Sequence, residues 1–278
     1  MNIFSPACSK SQIVATIGPA SSGYDVLKQL MAHQMDVVRF NFSWSNIEER
    51  SEQIAIIRRL EKELKRAVLM IQDLPGPRIQ HDTDHTYDRS SHSALTDQDK
   101  TFLKFGIQQA MDYVALSFVS SARDIEECRH EIARQGGRQR IIAKIERKKA
   151  LENVDEILHA ADALMIARGD LGNEVPLEQI PFIQTELIAK ANQAHKPVIV
   201  ATQMLTSMVR SPVPTRAEVT DVAHAVLWGA DAVMLSEETS IGKYPVQAVA
   251  MMERVVVEAE RHKPKGVCIN SLTKLSHD

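Results

Sequence analysis

The feature that most constrains this chain is a rhythm. Eight short apolar runs recur along it, each followed by a polar, helix-favouring stretch. The runs are Ile13–Ile17, Asp36–Asn41, Ala67–Gln72, Asp112–Phe118, Arg140–Ile145, Asp162–Ala167, Pro197–Thr202 and Asp231–Ser236. Most are nearly continuous, as in "AVLMI" and "VIVAT", rather than alternating. Strands buried on both faces, in a parallel sheet covered by helices, have this composition. Between the runs, Asn46–Lys65 carries Ile47, Ile54, Ile57 and Leu64 on one stripe, and Leu177–His195 and Val219–Trp228 behave similarly. Thr96 with Asp97 and Asp99 supplies an N-cap and an acidic first turn, and Pro245 suits the first turn of a helix over Pro245–Arg261. Eight β-then-α units in about 250 residues predict a closed (β/α)8 barrel, an α/β fold of one domain, with a doubly wound open sheet as the fallback.

One interval breaks the rhythm. Between Ala67 and Asp112 the surplus is Gln80–Ser93, "QHDTDHTYDRSSHS", polar and without periodicity, which reads as an exposed loop. Its His81, His85, His92, Asp82, Asp84 and Asp88 fit a solvated linker better than a metal site, because no element fixes the ligands. The barrel is expected over residues 1–265, and 266–278 reads as a polar tail without structure of its own. With 33 Lys+Arg against 36 Asp+Glu, a net charge of −3, no broad basic surface for nucleic acid is expected. No run approaches the ~18 apolar residues of a membrane span, and no signal peptide is expected. Three scattered cysteines argue against a disulfide framework or a cysteine-rich zinc site, so a reduced, cytoplasmic protein is expected.

In a barrel the active site lies where the strands end. At those ends stand Thr16, Arg39, Asn41, Ser43, Asp73, Ser117, Lys144, Glu146, Arg168, Gly169, Asp170, Thr202, Ser236 and Glu238. Strand ends meet solvent, which accounts for hydroxyls and acids, but it accounts poorly for a lysine inside the apolar "IIAKIE". Glu146 and Asp170 end neighbouring strands, whose axes lie about 4.8 Å apart. Two carboxylates so placed repel unless a cation or proton lies between them, and oxygen ligands suit Mg2+ or Mn2+. Structural salt bridges to Arg168 and Lys144 are the competing account. The turn Ala167–Gly172 adds a Gly-containing strand-to-helix junction whose amides suit a carboxylate or phosphate.

Several runs, in this order, resemble the catalytic barrel of pyruvate kinase. They are "IVATIGPAS", "RFNFS", "QDLPGP", "LTDQDKTFLKFGIQQAMDYVALSF", "IIAKIE", "MIARGDLGNEVPLEQIP", "KPVIVATQMLTSM", "PTRAEVTDVAHAVLWGADAVMLSEET" and "GKYP", spanning roughly Ser11 to Arg261. The resemblance implies a (β/α)8 barrel and phosphoryl transfer between phosphoenolpyruvate and ADP, giving pyruvate and ATP. It implies that Lys144 neutralises the phosphoryl group in transfer and that Arg39 contacts it. Glu146 and Asp170 would hold Mg2+ (or Mn2+), and the Gly169 and Asp170 amides would take the substrate carboxylate. Asn41, Ser43 and Asp73 would form the monovalent-cation region. Thr202 and Ser236, with Glu238, would lie on the proton path to the enolate carbon, with Thr202 also lining the substrate site.

Departures from the family pattern concentrate on the nucleotide side. The family's separate lid domain is expected to be reduced to Gln80–Ser93, and the sequence stops where its C-terminal regulatory domain would begin. Gln80 replaces an arginine, Trp44-Ser45 replaces His-Gly, Glu237 replaces the glycine of "MLSGET", and Lys149 and Ala150 replace Glu and Gly. Arg78 stands where many potassium-dependent members have an acid and could stand in for K+, so that ion is left open. The expected ligands are therefore phosphoenolpyruvate, pyruvate or another small keto acid, with ADP and ATP in doubt. Two alternatives follow: a Mg2+-dependent carbon–carbon lyase, decarboxylase or aldolase working on a pyruvate enolate without nucleotide, and a non-catalytic ligand-binding homologue. Met204, Met208, Met251 and Met252 read as helix-to-barrel core, and a homo-oligomeric interface is left open.

Overall fold

The computed structural model describes residues 9–43, 46–80, 85–88, 90–91, 93–263 and 270–273. Ten strands occur among them: β1 (Gln12–Thr16), β2 (Met35–Asn41), β3 (Leu69–Asp73), β4 (Arg78–Gln80), β5 (His85–Tyr87), β6 (Tyr113–Leu116), β7 (Arg140–Ile145), β8 (Ala163–Ala167), β9 (Val198–Ala201) and β10 (Ala232–Leu235). Eight of them pair in parallel in the order β1-β2-β3-β6-β7-β8-β9-β10, and β10 returns to β1, closing a barrel. The open-sheet fallback is thereby excluded. The remaining two, β4 and β5, make a small antiparallel hairpin in which Arg78 pairs with Tyr87. Gln80–Ser93 is therefore not wholly irregular. His81, Asp82, Asp84 and His92 lie outside the described residues.

The helices begin where their capping chemistry says they should. Asn46 accepts from the Glu49 amide at 2.7 Å and opens the helix Ile47–Leu64. Thr96 and Asp99 form a reciprocal capping box ahead of Asp97–Gln108. The helix expected from Val219 starts earlier, at Arg216, because Thr215 and Glu218 make a second such box. The stretch expected as one helix from Leu177 instead opens with a 3-10 turn, Leu177–Gln179, followed by the α-helix Ile180–Gln193 with Pro181 in its first turn. Pro245–Arg261 closes the series as expected. No helix among the described residues is long and apolar enough to cross a membrane.

Side chains alternate across each strand, and this alternation makes two cores. Ile13, Ala15, Leu164, Ile166, Val198, Val200, Val233 and Leu235 face outward against the helices. Val14, Val37, Ile71, Tyr113, Ala115, Ile142, Met165, Ile199, Ala201 and Met234 face inward and fill the barrel, large beside small. Of the four methionines expected in helix-to-barrel packing, Met204, Met208 and Met252 are fully buried, and Met251 is partly buried against the same core. At the lower end the interior is stopped by Leu272, 3% exposed, from the segment expected to carry no structure. Its amide donates to Gln12 Oε1 at 2.8 Å, and Arg140 donates to the Thr273 carbonyl at 3.3 Å. A polar tail thus contributes one apolar plug, a role that a single leucine among polar neighbours does not signal.

The aspartates that open four of the apolar runs have a structural reason to be there. Asp36, Asp112, Asp162 and Asp231 stand at the lower ends of β2, β6, β8 and β10. Their carboxylates accept from the amides of Ile13, Met70, Ile141 and Val198 respectively, at 3.0, 2.8, 2.8 and 2.8 Å. Each amide belongs to the preceding strand around the barrel. Asp112, Asp162 and Asp231 also donate their own amides to the carbonyls of Met70, Ile141 and Val198. Every second strand is thus stapled to the one before it where parallel pairing runs out.

At the upper end the loop after β10 is tight. Gly242 follows the short helix Glu237–Ser240, and a Cβ there would stand 2.3 Å from the Glu238 carbonyl oxygen and 3.0 Å from its carbon. Backbone on backbone leaves no rotamer to relieve the clash. Gly242→Ala is expected to cost about 1–3 kcal/mol, seen as a fall of a few degrees in Tm by thermal denaturation. An unchanged Tm would show slack in this loop.

Candidate active site

The charged groups of the upper rim are the next inward steps of the same alternation. From Val14 the inward position becomes Thr16, from Val37 Arg39, from Ile71 Asp73, from Ala115 Ser117, and from Ile142 first Lys144 and then Glu146. The site is the top layer of the barrel interior, where polar side chains replace apolar ones. Lys144 is at its centre, 6% exposed. Its Nζ lies 3.1 Å from Asp73 Oδ1, 2.8 Å from Ser117 Oγ and 2.8 Å from Glu146 Oε1, which uses all three ammonium donors. Arg39 Nε donates to Asp73 Oδ2 at 2.7 Å and Nη1 to Thr16 Oγ1 at 3.0 Å. Glu146 Oε2 accepts from the Phe118 amide at 2.7 Å.

Burial works against the Lys144 ammonium, yet Asp73 and Glu146 beside it more than compensate and hold its pKa above the ordinary lysine value. Asp73 is likewise opposed by burial but pulled below the usual carboxylate value by Arg39 and Lys144. Glu146 goes the other way. Burial pushes it up, the Asp170 charge adds to the push, and Lys144 only partly offsets them. Two carboxylates are therefore close enough to repel across a site that already holds an ammonium. Buried ion clusters of this kind contribute little net stability, which makes this one a candidate functional site.

Asp170 and Gly169 lie in the short helix Arg168–Leu171 that follows β8. The Gly169 amide donates to Thr202 Oγ1 at 2.8 Å, and that hydroxyl donates to the Ala201 carbonyl at 2.7 Å. Thr202 and Gln203 both have left-handed backbones, φ 68° and 55°. Arg168 holds that turn by donating from Nη2 to the Thr202 carbonyl at 2.6 Å while its Nη1 pairs with Asp221 at 2.7 Å. The salt bridge weighed for Arg168 thus goes to Asp221.

The remaining candidates lie on neighbouring strand ends and loops. Both oxygens of Glu238 accept from backbone amides, Leu205 at 2.9 Å and Ser236 at 2.8 Å. Burial pushes its pKa up, and these two hydrogen bonds brace the loops after β9 and β10. Ser236 Oγ and Ser43 Oγ are buried without a hydrogen-bond partner among the described residues. The Asn41 Oδ1 accepts from the Ser43 amide at 3.0 Å. Glu237 is exposed, and Trp44-Ser45 lies outside the described residues. Beside the β2 end is a cavity of about 430 Å³, lined by Phe42, Ser43, Gly76, Arg78, Asp88 and Thr96. Two partners of the cluster have no role assigned from sequence. Ser117, a strand-end residue, is placed by its two-residue spacing from Ala115. The Phe118 amide is not, because its aim depends on a left-handed backbone, φ 56°.

Among the described residues no cluster of three or more His, Cys, Asp or Glu is placed to hold a metal. The carboxylates of Glu146 and Asp170 are oxygen donors of the kind that would suit a hard cation such as Mg2+, its other ligands coming from substrate oxygens and water.

A closed parallel barrel whose C-terminal rim gathers a buried lysine, an arginine and carboxylates has the architecture of a (β/α)8 enzyme, with its candidate site at that rim. Comparison with known proteins then narrows the class. The barrel-domain model of pyruvate kinase matches residues 8–91 and 88–249. Pyruvate kinase of Thermococcus litoralis is 35% identical over 91% of this chain and 70% of its own length. Pyruvate kinase 2 of Synechocystis is 36% identical over 92% of the chain and 58% of its own, and that of Geobacillus stearothermophilus 38% over 96% and 60%. The chain belongs to the pyruvate kinase family. The alignment with the Thermococcus protein runs over 334 positions, more than the 278 residues of this chain, so that relative carries residues with no counterpart here.

Proposed function

We propose that this chain catalyses Mg2+-dependent chemistry on phosphoenolpyruvate or pyruvate, with phosphoryl transfer to ADP as the family reaction. The observation that supports it most is Lys144, buried between Asp73 and Glu146 with the Asp170 charge close by. Glu146 and Asp170 would hold the divalent ion. When bound, it supplies Lewis-acid stabilisation of an enolate oxygen and neutralises phosphoryl charge. Lys144 offers a fixed positive charge to the phosphoryl group in transit, and Arg39 offers a second, each preorganised by the carboxylate it already contacts. The Gly169 and Asp170 amides take the substrate carboxylate once the Thr202 hydroxyl gives way. Thr202 and Ser236 deliver the proton to the enolate carbon, the Ser236 hydroxyl having no hydrogen-bond partner among the described residues. Glu238 serves as a brace beneath them.

Potassium stays out of the reading. Both Asp73 oxygens already accept from cationic side chains, and Arg78 lies near enough to feel Asp73, Glu146 and Asp170. A single-domain barrel over residues 1–265, with the hairpin in place of a lid domain, is also part of the proposal. It is supported by the family match breaking at residues 88–91 and by the relatives' extra aligned positions. Lid closure normally sequesters phosphoryl transfer, so this feature favours a second reading, enolate chemistry on a keto acid without nucleotide. One assay separates the two. With Mg2+, pyruvate formed from phosphoenolpyruvate only when ADP is present supports the first. Turnover of oxaloacetate or a related keto acid without nucleotide supports the second. No turnover of either, with Mn2+ and oxalate still bound, leaves a ligand-binding homologue.

A further inference from the structure

We propose that Tyr87, on the hairpin strand β5, is a positioning residue for Glu146, acting through Phe118. The inference rests on the reading that Glu146 holds a divalent ion. Phe118 has a left-handed backbone, φ 56°, which an L side chain adopts at a cost and keeps only when its surroundings enforce it. That conformation aims its amide at Glu146 Oε2, 2.7 Å away.

What enforces it is visible around the ring. The Phe118 ring packs against Tyr87 at 5.2 Å between centroids, under the Arg78 guanidinium at 5.7 Å, and so close to Gly76 that a Cβ there would stand 3.0 Å from its Cδ2. Tyr87 is pinned in turn. The Arg147 guanidinium stacks over it at 3.7 Å, while Arg147 Nη1 donates to Ser120 Oγ at 2.7 Å. The buried Arg147 Nε has no hydrogen-bond partner among the described residues, so stacking on the ring is its principal compensation. The chain of contact is continuous: Arg147, the Tyr87 ring, the Phe118 ring, the Phe118 amide, the Glu146 carboxylate. Losing Tyr87 frees the Phe118 ring on one side, lets the strained backbone relax, and leaves one Glu146 oxygen without the donor that orients it. Outer partners of a ligating carboxylate act in this way, and their loss costs about 10–100-fold in metal affinity.

The test is Mn2+ binding to the full chain without substrate, with free Mn2+ read by electron paramagnetic resonance and folding followed by thermal denaturation. Tyr87→Ala is expected to bind about tenfold more weakly, and Tyr87→Phe, which keeps the ring, to bind like wild type. Should Tyr87→Ala fail to fold, Arg147→Gln keeps the ring but removes its clamp, and is expected to weaken binding about two- to fivefold. Wild-type affinity in a folded Tyr87→Ala, or in a folded Arg147→Gln, overturns the inference. Equal losses in Tyr87→Phe and Tyr87→Ala overturn it too, since the hydroxyl would then be the agent. Failure of the wild type itself to hold Mn2+ overturns the metal reading, and this inference with it.

Discussion

Replacing Lys144 by methionine is expected to lower turnover of phosphoenolpyruvate by about 10³-fold or more, with KM changed far less. A cation that meets charge developing on a transferring phosphoryl group contributes mainly in the transition state, and single groups of this kind are worth about 10²–10⁵. Methionine keeps most of the volume and none of the charge. The cost in stability has a separate origin. Removing the ammonium strips a partner from Glu146 and from Asp73, and breaking a buried pair costs about 3–5 kcal/mol. Here the penalty is softened, because Asp73 keeps Arg39 at 2.7 Å and Glu146 keeps the Phe118 amide. Glu146, already pushed up by burial, can also take a proton. The variant should therefore fold with a lowered Tm and fail in chemistry.

Lys144→Arg is expected to rescue little. A planar guanidinium cannot point donors at Asp73, Ser117 and Glu146 in the diverging directions a tetrahedral ammonium serves. The checks are steady-state kinetics and a thermal melt. Wild-type kcat in a folded Lys144→Met would remove Lys144 from the reaction and leave the ligand-binding reading in its place.

The fold was legible because burial on both faces writes itself into composition. Runs such as "VIVAT" have no polar residue to give away to solvent until the strand ends, and capping residues mark the helices to within a few positions. The Lys144 cluster was legible for the same reason, since a lysine placed in step with inward-facing Ile142 is hard to explain as surface. What was hidden depends on contacts between distant residues. The left-handed turns at Phe118 and Thr202 carry ordinary side chains, so no glycine announces them. Leu272 looks like one apolar residue in a polar tail, and only the open lower end of the barrel gives it a place. Glu238 reads as a rim carboxylate beside Ser236, yet its length lets it fold back onto two amides. The hairpin was hidden because three-residue strands are too short to show a period.

The staples at the lower end give a stability that changes with pH, and Asp231 is the member for which the change is largest. It is fully buried, and burial raises its pKa from the ordinary 3.8 to about 6, although the amides of Asn270 and Val198 and the charge of Lys263 pull it back. The sign follows from proton binding. Between about pH 4 and 6 the folded chain keeps a proton on Asp231 that the unfolded chain has released, so folding is favoured by acid, and stability falls as the pH rises through that window. A shift of about two units at ~1.4 kcal/mol each makes this about 3 kcal/mol. Above pH 6 the carboxylate stays buried and charged, held by the Val198 amide at 2.8 Å and by the Asn270 amide.

Asp231→Asn removes the titration and keeps the shape. It retains one acceptor and loses the other, a cost of about 1 kcal/mol that does not depend on pH. The variant should thus be less stable than wild type near pH 4 and should gain on it steadily, becoming the more stable of the two above pH 6. Denaturant unfolding of both proteins at half-unit steps from pH 4 to 8 checks this as a difference, so that other buried carboxyl groups, common to both chains, cancel. A stability difference that stays flat across the window would mean that Asp231 is ionised in the folded protein throughout, its two amide donors outweighing the burial.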